Sequence, residues 1–248
     1  MRVVIPKAIA RFILIGLLFS SLIAAVIYAV PEGAQVQIGT KETRAASIPQ
    51  NVTADGGNVT NVNITLLTQT DAWQGFYGEV NGSLVLDDAS GDRFYSWNIT
   101  NVSGEVYASR SNNINFATIY PNNNCSIDNV LTGVGKSDSV NMTFSPAFNR
   151  AVTVGNIVIN ASTACATYTY VNSSVQSAFF HELILSPDVN VNGTGSQNAT
   201  LGGNTSVFVT LIEPNIAGYD TATHDYQLLV PVNRTSGFNT YSFYAELG

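Results

Sequence analysis

Beyond residue 57 the chain is a succession of short runs of Val, Ile, Thr, Tyr and Phe, each closed by Asn, Gly, Ser or Asp. Nowhere in that region do apolar residues fall at i, i+3, i+4 and i+7 over three turns. This bars folds that cover their core with amphipathic helices. Several runs alternate instead. In Ser206–Leu211 and in Thr240–Ala245 one set of alternate side chains is apolar and the other largely polar or aromatic. Period-two alternation with one buried face marks antiparallel, layered sheets.

The spacing predicts strands near 59–68, 76–80, 82–87, 93–100, 104–110, 114–119, 139–144, 151–159, 166–172, 178–185, 206–213, 225–232 and 240–247. Turn signals about 8–12 residues apart point to an all-β fold, an antiparallel β-sandwich of immunoglobulin-like or jelly-roll style over residues 58–248. Residues 31–57 are polar with little apolar periodicity, and read as a spacer or extended arm.

The sandwich is expected to follow one N-terminal hydrophobic helix. Arg2, Lys7 and Arg11 precede Phe12–Val30, a run of 19 residues without a charge. As a helix that run is roughly 28 Å long, close to the hydrocarbon thickness of a bilayer. Residues 1–30 therefore read as a basic leader with a transmembrane or signal helix. The cations stay on the cytoplasmic side and the remainder is exported. Uncleaved, residues 12–30 anchor the chain in the membrane; cleaved near Val30, they leave a secreted protein.

Only 11% of residues are charged, and polarity comes instead from 26 Asn, 23 Thr and 22 Ser. Beyond the leader, seven Lys and Arg face 17 Asp and Glu, a net charge of −10. With no basic stripe, a nucleic-acid partner is not expected, because affinity for phosphate backbones comes from clustered cations.

Fourteen Asn-x-Ser/Thr sequons stand at Asn51, Asn58, Asn63, Asn81, Asn98, Asn101, Asn124, Asn141, Asn160, Asn172, Asn192, Asn198, Asn204 and Asn233. Composition alone predicts about five, so the pattern reads as N-linked glycosylation on the outside of the fold. Cys125 and Cys165 are the only cysteines. In an exported chain such a pair reads as one disulfide.

Candidate chemistry is sparse. Gly135-Lys136-Ser137 follows Val130 where a phosphate loop needs glycine, and it lacks the strand and helix that motif requires. His181-Glu182 lacks the second histidine of a zinc-protease helix. His224-Asp225 has no nucleophile elbow to serve. Asp87, Asp88, Ser90 and Asp92 crowd oxygen ligands into one turn, which fits either calcium or a plain hairpin. Aromatic clusters at 73–77, 94–97 and 241–244 suit core packing, or ring stacking on carbohydrate or a neighbouring subunit. No cofactor, metal or catalytic residue is expected.

The segments DAWQGFYGEV (71–80), SLVLDDASGDRFYSW (83–97), SGEVYASR (103–110) and the ending YQLLVPVN…TYSFYAELG resemble a group of archaeal envelope-associated, β-rich glycoproteins. That resemblance covers about 55–248 and implies compartment and lineage rather than a mechanism. Leader, hydrophobic segment and Asn/Thr-rich β-domain are also similar in layout to archaeal pilins and thread filament subunits. Gly16 departs from the pilin pattern, which places Glu there, and no Gly precedes the hydrophobic run.

The expected function is a non-enzymatic cell-surface glycoprotein of the envelope or of a surface filament, extracellular and either anchored or secreted. Its expected partners are the membrane, N-linked glycans, and like subunits or other envelope proteins. One alternative is a subunit that polymerises through its N-terminal helix or by lending the arm as a strand. The other is an exported glycan-binding module or hydrolase.

Overall fold

A computed structural model describes residues 30–99, 102–144, 151–155, 157–160, 164–168, 170–171, 174–175, 181–187 and 206–247. The proposed leader and helix lie outside these residues but for Val30. Among the described residues no helix is long and apolar enough to cross a membrane. Of the described residues 38% are strand and 6% helix, a β-rich content consistent with the all-β class.

The strands of the first half are β1 (Glu32–Gly33), β2 (Trp73–Gly78), β3 (Ser83–Asp87), β4 (Arg93–Asn98), β5 (Gly104–Ser109) and β6 (Tyr120–Pro121). Next come β7 (Ala151–Val154), β8 (Ile157–Asn160), β9 (Ala166–Tyr168), β10 (Tyr170–Val171), β11 (Ser174–Val175) and β12 (His181–Ser186). The chain closes with β13 (Val207–Ile212), β14 (Ile216–Ala217), β15 (Thr223–His224), β16 (Tyr226–Pro231) and β17 (Ser242–Leu247). Two one-turn helices, α1 (Asn129–Thr132) and α2 (Val140–Thr143), sit between β6 and β7.

A seven-stranded antiparallel sheet runs β1-β17-β5-β13-β12-β6, with β9 also paired to β12. Its central strands are buried on both faces, so alternation in their sequences does not separate core from solvent. Tyr107, Leu183, Val207 and Val209 share one face and pack with Val152, Val154 and Ile159 of the β7–β8 hairpin. Ala108, Ile184 and Phe208 share the other and pack with Leu228 and Val230 of the β2–β16 ribbon. Each fully buried aliphatic or aromatic side chain contributes about 1.5–3 kcal/mol, and these two clusters hold most of them.

Most expected strands form within a few residues of their predicted bounds, and the exceptions have physical causes. Residues 139–144 turn helical because local polar groups outbid a ladder. Val140 N–H donates to Thr132 Oγ1, and Asn141 N–H to Asn129 Oδ1, each at 3.2 Å. The single run expected over 151–159 is folded into a hairpin at Gly155, whose φ of 58° suits a residue without Cβ. Residues 114–119 hold a 3₁₀ turn, Phe116–Thr118, with the Asn115 side chain capping Ala117 N–H. Residues 59–68 alternate as a strand should, yet they are exposed and pair with no strand among the described residues; the exposed arm runs on to residue 70.

Candidate functional site

Cys125 and Cys165 form the expected disulfide, with Cα atoms 5.4 Å apart. It ties the loop after β6 to the strand edge beside β12, where Cys165 N–H donates to Asn122 O and Ile184 N–H to Cys165 O. A bridge across 40 residues contributes roughly 4 kcal/mol through loop closure.

Among the sequons, Asn51, Asn58, Asn63, Asn81, Asn98, Asn141 and Asn160 are exposed, and Asn124 and Asn233 are half-buried. Asn101, Asn172, Asn192, Asn198 and Asn204 lie outside the described residues. No described sequon asparagine is in the core. Asn233 Oδ1 accepts from Thr235 and Ser236 N–H, and Asn124 Oδ1 from Ser126 N–H. Those carbonyls shape local turns.

The acid-rich turn between β3 and β4 uses its own carboxylates. Asp88 Oδ1 accepts from the backbone of Ser90 and Asp92, each at 2.9 Å. Asp87 takes both a Nε and a terminal N–H of Arg93. No group of three His, Cys, Asp or Glu converges among the described residues. Gly135-Lys136-Ser137 lies in a turn between α1 and α2, with Gly135 at φ 70°.

The two histidines are far apart in the fold. His181 is buried on β12, its ring 5.1 Å from that of Tyr168. His224 Nε2 lies 2.9 Å from Asp220 Oδ1, with the Tyr77 ring 4.7 Å away. Tyr219 stands beside them; its hydrogen bond with Tyr77 and some burial push its phenol up to about 12.

Next to this cluster is a cleft of about 530 Å³ on the outer face of the β2–β16 ribbon. The arm crosses it at Thr40–Arg44, and Trp73, Tyr77, Tyr219 and Gln227 line the opposite wall. Bonds from Thr43 and Arg44 to the Gln69 side chain tie this crossing to the far end of the arm. Glu42 is the only carboxylate among the lining residues.

The three aromatic clusters part ways. Trp73 and Phe76 pack against Phe144 and Phe243, at ring distances of 5.8 and 5.1 Å. Tyr241 closes the same core, donating from its hydroxyl to Pro231 O at 2.7 Å. Phe94, Tyr95 and Trp97 instead stand on the β3–β4 hairpin, which is exposed along its whole length. Leu84, Leu86, Tyr95 and Trp97 share one of its faces, with Tyr95 and Trp97 rings 4.3 Å apart.

Four buried ionisable sites had no signature in the sequence. Arg110 and Asp128 form an ion pair at 2.6 Å that is almost wholly shielded from solvent. Burial raises the Asp128 carboxyl, and the guanidinium pulls it back only in part. Glu182 is buried on the ribbon side of the sheet, and its one partner is Leu229 N–H, to Oε2 at 2.7 Å. Glu105 and Glu246 are cross-strand neighbours on the opposite face. Glu105 accepts from Thr153 N–H at 2.9 Å, Glu246 from Gly155 N–H and the Tyr107 hydroxyl. Burial pushes all three carboxyls up, that of Glu105 to about 7.

Comparison with protein-family models, with curated proteins and with solved structures finds no match for this chain.

Proposed function

We propose that this chain is a non-enzymatic cell-surface glycoprotein, an exported building block of an archaeal-type envelope or surface filament. The observation that carries the reading is the pairing of a disulfide-closed β-domain with sequon asparagines that all lie outside the core wherever they are described. A disulfide persists in an oxidising, extracytoplasmic compartment, and an attached glycan demands solvent. The resemblance in 71–110 and at the C-terminus points to the same compartment. We read the architecture as sandwich-like, with the β2–β16 ribbon stacked on one face of the large sheet, in immunoglobulin or jelly-roll style.

Mass spectrometry of protein from membrane and shed fractions tests this. Glycan mass on several sequons and an intact Cys125–Cys165 bridge are the expected result. Bare asparagines and free thiols would overturn it. The same spectra map the mature N-terminus and so decide between a retained and a cleaved helix.

A second reading, the polymerising subunit, is favoured by one observation. Val62, Ile64 and Leu66 alternate on an exposed segment that pairs with no strand among the described residues. The β2–β16 ribbon has no third strand among the described residues. A strand from one copy could complete the ribbon of the next. Deleting 59–68 should abolish filaments seen by electron microscopy while leaving the monomer folded; filaments that persist would exclude this route.

A further inference from the structure

We propose that the β-domain is built to work in an acidic medium: Glu105, Glu182 and Glu246 are held inside it as neutral acids, and the Glu105–Glu246 pair is a latch that loosens the β7–β8 hairpin when it ionises.

The argument begins with what surrounds the carboxyls. Glu105 and Glu246 stand opposite each other on β5 and β17, so their side chains are neighbours on one face. Burial out of water is the main penalty on ionising either one, and Glu105 also feels the charge of Glu246, so a proton on the pair relieves both. Over them lies the β7–β8 hairpin, whose residues 151–155 and 157–160 carry no titratable side chain. It meets the pair only through Thr153 N–H and Gly155 N–H. The remaining group at the pair is Tyr107, whose hydroxyl donates to Glu246 Oε2 at 3.1 Å. Among the described residues no lysine, arginine or histidine forms a salt bridge with either acid.

Glu182 is the more severe case. The ribbon over it contributes a single backbone donor, to Oε2, and Oε1 has no hydrogen-bond partner among the described residues. Thr167 and Thr210 flank it in register on the neighbouring strands. The titratable side chains packed on this face are Tyr226, Tyr241 and, through Tyr241, the Arg110–Asp128 pair, whose charges are spent on each other. His181 points to the opposite face, against Tyr168, and sits two strands from Glu105. An isolated buried carboxylate costs several kcal/mol, whereas the neutral acid costs far less.

The sign follows from linkage. Each of these carboxyls takes up its proton more readily in the folded chain than in the unfolded one. Between about pH 4.5 and 7 the folded state therefore holds the extra protons, and stability falls as pH rises through that window. Most proteins gain stability as carboxylates ionise into salt bridges. Here the three interior acids work the other way.

Thermal unfolding of the full chain between pH 4 and pH 8 tests the proposal. The melting temperature should fall by at least about 5 °C from pH 4.5 to pH 8. Glu105→Gln/Glu246→Gln and, separately, Glu182→Gln should each flatten that fall, because the amide keeps a neutral acceptor in place. A flat or rising profile would overturn the proposal. Amide exchange on the unsubstituted protein decides the latch even where a variant does not fold. Corrected for intrinsic rates, protection of Thr153 and Gly155 should drop on the order of 100-fold from pH 4.5 to pH 8. Phe208 and Val209 should lose less, and equal losses or none at Thr153 and Gly155 would refute the latch.

Discussion

Gly104 shows how far one residue can be constrained by its surroundings. Its φ is +126°, and a Cβ there would fall 1.9 Å from the carbonyl oxygen of Glu246, which is backbone of the paired strand. Neither the dihedral nor the clash can be relieved by a side-chain rotation. Gly104→Ala should cost about 3 kcal/mol or more, read as a lowered urea midpoint. Gly75→Ala is the matched control. The same construction at Gly75 meets nothing within 4 Å, so its midpoint should move by less than about 0.5 kcal/mol equivalent. Arg110 presents the electrostatic counterpart. Removing it strands Asp128 as a buried charge with no cation, so Arg110→Ala should cost about 3–5 kcal/mol in the same measurement. A midpoint shift below about 1 kcal/mol would mean that water replaces the guanidinium.

At the scale of elements, alternation tells which segments can be strands and says nothing about partners. It is equally clear in 206–213, which becomes the centre of the sheet, and in 59–68, which pairs with no other segment among the described residues. The difference lies in neighbours supplied by distant parts of the chain. Residues 139–144 mislead for the opposite reason, since Ser, Asn and Thr side chains bind nearby backbone and stabilise a turn of helix. The disulfide is legible because a chain with two cysteines leaves one intramolecular pairing. The interior acids are not legible, because Glu105 and Glu246 lie on one face of the sheet and Glu182 on the other, so one set or the other would be solvated in a sheet covered on a single face. Only the hairpin and ribbon, packed on opposite faces, turn those positions inward. The β3–β4 hairpin makes a prediction at this scale. Phe94, Tyr95 and Trp97 are exposed by 82%, 52% and 49%, so a triple substitution to Ser removes almost no core contact. Its melting temperature should stay within about 2 °C of the parent, and a larger drop would show that the hairpin folds back onto the domain.

For the whole molecule, the arm and the β-domain should behave as separable parts. Residues 30–70 touch the large sheet chiefly through β1, a two-residue pairing with β17 extended by one bond from Ala34 N–H to Phe243 O. The crossing at 40–44 is held by exposed hydrogen bonds to Gln69. Such contacts open easily, because local stability follows buried apolar area and shielded hydrogen bonds. The sparse charge of this chain turns that into a clean test. Lys41 and Arg44 are the only trypsin sites within residues 30–70, and both are exposed. Within the β-domain Arg110 is shielded in its ion pair, and Arg234 is bound by Asp71 and Asp138. Brief digestion of the native protein should cut after Arg44 before any of the sites in the sheets. The fragment beginning at Ala45 should keep its melting temperature to within about 2 °C, since residues 30–44 are exposed except for Pro31. Reduction should then lower that temperature by about 8–16 °C, the equivalent of a 40-residue loop constraint in a domain of this size. An arm that resists trypsin, or a fragment that melts early once it is cut, would mean that residues 30–44 are structural, and the arm could not be free to pair with a neighbour.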